Sequence, residues 1–514
     1  MNRFRWTGGL ALIALTTTAC GMGDGGGAGA QADAKQGGHL VYAESIPPNT
    51  AWSPETDDAH DLMRAGCLET LVRYGYAGDL EAGLATEWNQ VEPTTWQFTL
   101  RDKVSFQDGT PMDAEAVAGA LTHLLEVKTP ARAFNADVVS SVEALDESTV
   151  EITTPAQDPL VPLRVASPNA GILAPKAYAG KQIDIKGTCT GPFTVVDEQP
   201  RQSLKLEANA DYWGGTPSLA TAEVRFVIDG ATRTTQLQTG EAQIARAVPA
   251  ASLSTLEGES NVETNELALA RTTVALLNNS RPPFDDPLVR QAVQHAFDRE
   301  AIVASVYEGT GQPAVGPFAP ESPWAPEGAE APTFDPDEAR SLLDQAGIDP
   351  ASLTIDLLAY NDRPEFGDLA AVIQEQLAQI GVKVKIRAGD YASLEPDMLS
   401  GEYDAALLSR GALVDVADPG GYLSSDWTCD GGYNIAQYCS EETDAMIQDA
   451  VATEDLDQRN AAYQDIAEQL QTESASVFLM HESAVWGVGT GVEGFEPHPL
   501  DYYVLTADLT LAGN

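Results

Sequence analysis

The stretch Tyr403-Asp404-Ala405-Ala406-Leu407-Leu408-Ser409-Arg410-Gly411-Ala412-Leu413-Val414-Asp415-Val416-Ala417-Asp418-Pro419-Gly420-Gly421 decides how the chain is read. Tyr403, Ala405 and Leu407 alternate with their neighbours at the period of a strand. Small residues carry the strand to Asp415, a turn forms at Asp418-Pro419-Gly420-Gly421, and a loop follows that is flanked by Cys429 and Cys439. Asp415 carries the chemistry to weigh. A carboxylate at the mouth of an apolar strand can pair with a ligand cation in a cleft, and the same residue can equally cap a helix or stand solvated in a turn.

Working outward, the second half alternates strands with helices. Leu353 to Leu358 and Val382 to Ile386 read as strands, and Pro336 to Ala346 and Phe366 to Ile380 as helices. Asp286 to Glu308 and Glu442 to Leu470 each read as one helix, Thr272 to Asn278 and Val477 to Met480 as strands, and the tail from Val485 as further short strands. This alternation argues for an α/β lobe. The first half is mixed. It holds a strand through Leu40 and Tyr42, a helical stretch from Leu62 to Tyr74, an amphipathic helix capped by Asp113, and a hairpin from Val142 to Ile152. The turn Gly187-Thr188-Cys189-Thr190-Gly191-Pro192-Phe193 has neither the spacing nor the following lysine of a phosphate loop.

At 514 residues the chain is too long for one core, so two or three packed units are expected. With 77 acidic against 29 basic residues the formal charge is -48, which repels nucleic-acid backbones and anionic membrane surfaces and mildly favours cationic ligands. Arg3 and Arg5, an apolar run from Leu10 to Leu15 and the small residues before Cys20 resemble a bacterial lipoprotein signal. Residues 1–19 are then a removed signal peptide, Cys20 carries lipid, and 20–37 is a Gly- and Ala-rich tether. Thr17 stands where such signals have a large aliphatic residue.

With Cys20 lipidated, four cysteines remain, an even number suited to an oxidising compartment. Cys429 and Cys439 are close enough to staple one loop, worth on the order of 3 kcal/mol, and Cys67 and Cys189 would then pair at long range. No zinc-type spacing occurs and the six histidines are scattered, so neither a metal site nor a cofactor is expected. No Gly-x-Ser-x-Gly stretch or triad supports the competing reading of an exported hydrolase, and no enzyme is expected.

Several ordered pieces together resemble the extracellular solute-binding proteins, family 5, of peptide/nickel-type ABC importers. They include Leu84-Ala85-Thr86-Glu87-Trp88, Trp96-Gln97-Phe98-Thr99-Leu100-Arg101 with Phe106-Gln107-Asp108-Gly109-Thr110-Pro111, Thr190-Gly191-Pro192-Phe193, Arg290-Gln291-Ala292 with Asp298-Arg299, Phe334-Asp335-Pro336 and Asp418-Pro419. The resemblance implies an α/β, two-lobed periplasmic-binding-protein-like clamp of type II, the large peptide-binding subclass. Hinge strands join the lobes and an extra subdomain enlarges lobe I. Lobe I would comprise 38–270 plus 485–514, and lobe II 271–484. It implies a monomer on the outer face of the cell membrane that captures a short peptide and delivers it to an ABC permease with its ATPase subunits. The alternative cargo is a nickel or other metal chelate, an opine or another cationic metabolite.

In peptide-binding members an aspartate three residues before Asp-Pro holds the peptide ammonium, a position Asp415 matches. The resemblance also implies that the loop from Cys429 to Cys439 shapes one wall and that Glu44 and Ser45 meet ligand backbone, although strand-end capping explains that pair equally. Arg410 is a candidate for a ligand carboxylate. Trp88 and Trp213 read as packing residues. Ala412 stands where peptide-binding relatives often place tryptophan. Asn169 and Gly431 stand near where nickel-type relatives use arginine and histidine, which counts against a nickel chelate.

Overall fold

The computed structural model describes residues 37–363, 365–413 and 416–512. The signal segment, Cys20, nearly all of the tether and Asp415 lie outside the described residues.

Two long antiparallel strands, Val262–Leu277 and Ser476–Gly489, run through an 11-stranded sheet and belong to both halves of the molecule. Toward one end Val488 and Gly487 pair with the short strand Ile244–Ala245, which lies beside the parallel strands His39–Glu44 and Thr221–Phe226. Toward the other, Arg271 to Leu277 pair with Ala405–Gly411, followed by the parallel strands Thr354–Tyr360 and Lys383–Gly389. Between the ends the register slips, from Ala268 opposite Ser483 to Thr272 opposite His481. A slip of this kind loosens the ladder and lets the strands bend. We call the two sides lobe I and lobe II and the two strands the hinge strands.

The first hinge strand is longer than the sequence suggests. Its lobe I half, Val262 to Ala270, is mostly exposed or half-buried and carries Glu263, Thr264, Asn265 and Glu266, whereas Thr272 to Leu277 is buried throughout. Val477 to Met480 and the stretch after Val485 are one continuous strand, not separate short ones.

In lobe I, apolar residues of the strand His39–Glu44, the helix Asp58–Arg64 and the C-terminal segment share a core that includes Leu40, Leu62, Phe193, Val224 and Leu505. The stretch expected to remain helical to Tyr74 stops at Arg64. Gly66 follows at φ +65, a conformation that glycine adopts without strain. A Cβ there would stand 2.2 Å from the Leu505 carbonyl oxygen. A subdomain with its own core is inserted between Cys67 and Cys189: a four-stranded sheet packs on the helix Ala114–Glu126, whose N-terminus Asp113 caps by accepting from the Ala116 amide. The Cys67–Cys189 disulfide, buried at both ends, closes the neck of this insertion.

Lobe II holds the largest core, with helices on its mostly parallel strands and Trp427, Tyr463 and Phe478 fully buried. Two helices read as single are each broken in two. Asp298 caps Arg299–Val306 by accepting from Ala301, and Asp455 caps Leu456–Thr472 by accepting from Gln458. In both cases an aspartate offers its carboxylate to the free amides of a new first turn. Cys429 and Cys439 are bonded across a short loop whose Ile435, Ala436 and Tyr438 are buried in the lobe II core. Among the described residues no helix is long and apolar enough to cross a membrane.

Candidate functional site

The parallel strands of each lobe end at their carboxyl edges near the hinge strands, and open α/β sheets take ligands at such edges. On the lobe I side the edge is Glu44-Ser45-Ile46 together with Arg246, which follows Ile244–Ala245. On the lobe II side it is Tyr360, Gly389 and Gly411 with the loops that follow them. The lobes also touch. Val416 and Ala417 pack with Tyr74, Ala133 and Leu163 of lobe I, and the Gln157 amide donates to Glu454.

Glu44 is fully buried and its carboxylate is engaged within lobe I. It accepts from the Tyr42 hydroxyl, from the Ser45 amide at 2.6 Å and from Arg246 at 3.0 Å, with Arg64 3.7 Å away. Burial alone would raise this carboxyl; the Arg64 and Arg246 charges and the hydrogen bonds from Tyr42 and Ile46 outweigh it and hold Glu44 at about 2. Asp501 binds the other edge of Arg246 at 2.5 Å, and Asp61 pairs with Arg64 at 2.8 Å. Asp61 is pushed up to about 7 by burial, despite the pull of Arg64. The strand-end reading of Glu44 thus describes what its side chain does. Ser45 is half-buried, and its hydroxyl lies 3.1 Å from Arg246. Arg246, Arg64 and Asp501 were not anticipated; 457 residues separate Glu44 from Asp501, and no local spacing marks such a cluster.

Arg410 is likewise engaged within its own lobe. Asp426 grips it through two bonds, at 2.7 and 2.8 Å, and its guanidinium lies 4.5 Å over the Tyr433 ring. Burial raises the Asp426 carboxyl against the opposing pull of Arg410. On the opposite face of the same strand, Glu482 of the second hinge strand accepts from Ser409 at 2.5 Å and Thr273 at 2.9 Å and pairs with Arg363 at 3.1 Å.

Ala412 and Asp418, three residues to either side of Asp415, are both held. Ala412 is buried, and its amide donates to the Ala270 carbonyl at 2.8 Å. Asp418 is buried, accepts from Tyr463 and from the Gly420 amide, both at 2.8 Å, and faces Arg459 at 3.7 Å. Two departures from nickel-type relatives acquire a physical cause. The Asn169 amide donates to the carbonyls of Pro54 and Thr56 at 2.9 and 2.8 Å, so it fastens a loop. At Gly431 a Cβ would stand 2.4 Å from the Ser425 carbonyl, leaving no space for a side chain. Trp88 and Trp213 pack at the edge of the subdomain core. Among the described residues no three His, Cys, Asp or Glu side chains gather as a metal site.

A two-lobed α/β clamp with polar carboxyl edges facing a hinge defines a binding protein. Residues 79–434 match the family described as bacterial extracellular solute-binding proteins, family 5. The chain is 30% identical to the probable D,D-dipeptide-binding periplasmic protein DdpA of Escherichia coli K12, over 90% of this chain and 92% of that protein. It is 28% identical to the glutathione-binding protein GsiB of Pectobacterium atrosepticum, over 81% and 83% of the two chains. Among solved structures, the nickel ABC transporter protein of Bacillus halodurans superposes with a TM-score of 0.83 at 27% identity, covering 92% of this chain and 99% of that one. The chain belongs to family 5 of the bacterial extracellular solute-binding proteins.

Proposed function

We propose that the protein captures short peptides outside the cell membrane by their free N-terminal ammonium and delivers them to the permease and ATPase subunits of an ABC importer. Asp415 is the ammonium partner, Ser45 meets peptide backbone, and Glu44 sets the position of Ser45 through its hydrogen bonds to that residue. We take lobe I as 38–270 plus 485–514 and lobe II as 271–484, with the chain acting as a monomer anchored through lipid on Cys20. Capture requires closure and release, not covalent chemistry.

The observation that supports this reading is that the described chain before and after Asp415 reaches both lobes: Ala412 is buried in lobe II and Val416 is buried against Tyr74, Ala133 and Leu163 of lobe I. Similarity to a dipeptide-binding and a glutathione-binding protein supports the same class of cargo. A nickel or other metal chelate, an opine or another cationic metabolite is the second reading, favoured by the likeness to the Bacillus halodurans protein. The engagement of Asn169 and the lack of space at Gly431 weigh against the nickel form.

Calorimetric titration with di- to pentapeptides, free or acetylated at the N-terminus, tests the proposal. Free-amine peptides should bind, and acetylation or Asp415→Ala should each weaken binding by at least a hundredfold, in line with about 3 to 5 kcal/mol for an unpaired buried charge. Equal binding of acetylated peptides would remove Asp415 from its role.

A further inference from the structure

A cavity of about 450 Å³ opens in lobe I between its core and the inserted subdomain, on a wall that does not include the interlobe residues. Glu69, Arg73, Tyr76, Tyr212, Trp213 and Tyr503 carry its chemistry. Glu69 is held by the Tyr212 hydroxyl at 2.9 Å and the Trp213 indole N–H at 3.0 Å, which orients two of the rings. His498 backs two others, with its ring 4.9 Å from Tyr76 and 4.6 Å from Tyr503. The Cys67–Cys189 disulfide ties together the segments that supply Glu69 and Pro192. The walls are thus set before any ligand arrives, which lowers the entropic cost of binding.

Arg73 stands apart from the other enclosed arginines. Arg233 donates to four backbone carbonyls, and Arg246 and Arg410 grip carboxylates. Arg73 forms no salt bridge among the described residues; its guanidinium lies 4.7 Å over the Tyr503 ring, beside that residue's hydroxyl. The Tyr503 hydroxyl is buried and faces Arg73, which leaves its own proton to donate. A half-buried guanidinium with a hydroxyl beside it forms a receptor for a carboxylate. At the mouth the exposed Glu496 and Asp508 carry the opposite sign, which repels a simple anion and attracts an ammonium. Four aromatic rings suit a planar body, and the volume suits a small molecule.

We propose that this cavity is a second ligand site, separate from the interlobe cleft, for a small zwitterion with a planar ring, the class of the aromatic amino acids. Its carboxylate meets Arg73 and Tyr503, its ring lies among Tyr76, Tyr212 and Trp213, and its ammonium faces the acidic mouth.

The test is calorimetric titration of the full chain with L-tryptophan and L-phenylalanine, with indole-3-acetate and tryptamine as single-charge controls. At least one amino acid should bind at one per chain, with each control at least tenfold weaker. Arg73→Met should weaken the amino acid tenfold or more while leaving peptide binding intact, and Asp415→Ala should leave the amino acid unaffected. If Arg73→Met does not fold, Tyr76→Leu, which removes a ring and keeps apolar bulk, should give the same loss. No heat with either amino acid overturns the proposal, as does binding that Asp415→Ala abolishes and Arg73→Met spares. Indole-3-acetate binding as tightly as tryptophan overturns the zwitterion assignment.

Discussion

Replacing Cys67 and Cys189 together by alanine should lower the stability of lobe I by about 5 kcal/mol, the loop-closure value for residues this far apart. The cysteines are 122 positions apart, and the chain between them is the inserted subdomain. Unfolding therefore frees one long loop whose ends the bond otherwise holds together. Both cysteines are buried in the lobe I core, so each alanine also leaves a small void. The Cys429–Cys439 bond spans only 10 positions and should contribute on the order of 3 kcal/mol, felt in lobe II alone. Denaturant unfolding of the two double variants checks both. A long-range variant with the midpoint of the parent would show that the neck is held by packing and not by the bond.

Arg246→Met should cost about 3 kcal/mol, because methionine matches much of the arginine stem but removes the nearer of the two cations that Glu44 and Asp501 share, leaving Arg64 at 3.7 and 3.6 Å. Replacement should also change the response to acid. Glu44 titrates near 4.5 when unfolded and at about 2 when folded, so it contributes stability above pH 4.5 that is lost as pH falls toward 2, on the order of 3 kcal/mol in all. Without Arg246 the folded carboxyl rises toward its ordinary value. The variant should start lower at neutral pH and lose less between pH 4.5 and 2. Parallel stability curves for parent and variant would show that Arg246 acts through packing alone.

Two lobe II strands and two helices were legible to within three residues, because each buries one face and so imposes a period on its sequence, whereas the helices Tyr391–Ser400 and Gly420–Asp426 were not read. Strands near Leu353 and Val382 and helices near Pro336 and Phe366 lie where the pattern places them. The lobe I half of the first hinge strand was not legible, since it is largely solvated and has no buried face to impose a period. Helix breaks at Asp298 and Asp455 were hidden by apolar spacing that continues across them, although an aspartate before a new turn was the available signal. The site divides the same way. Asp418 belongs to a short motif and was visible, whereas its partners Tyr463 and Arg459 lie on a later helix. Glu44 and Arg410 were visible as charged residues at strand ends; that Arg246 and Asp426 hold them is a matter of tertiary contact. The aromatic cavity around Arg73 draws on stretches of chain as far apart as Met63 and Asp508, which no local pattern joins.

Competition between candidate cargoes tests most directly what the cleft holds. The protein, stripped of ligand by denaturation and refolded, is exposed to a mixture of short peptides and nickel–histidine complex, recovered, and denatured again. Mass spectrometry and metal analysis then identify what it releases. Short peptides with free amino termini, released at about one per chain from the parent and absent from Asp415→Ala, are the expected result. Stoichiometric nickel without peptide would contradict the peptide reading and return the cleft to the metal-chelate class.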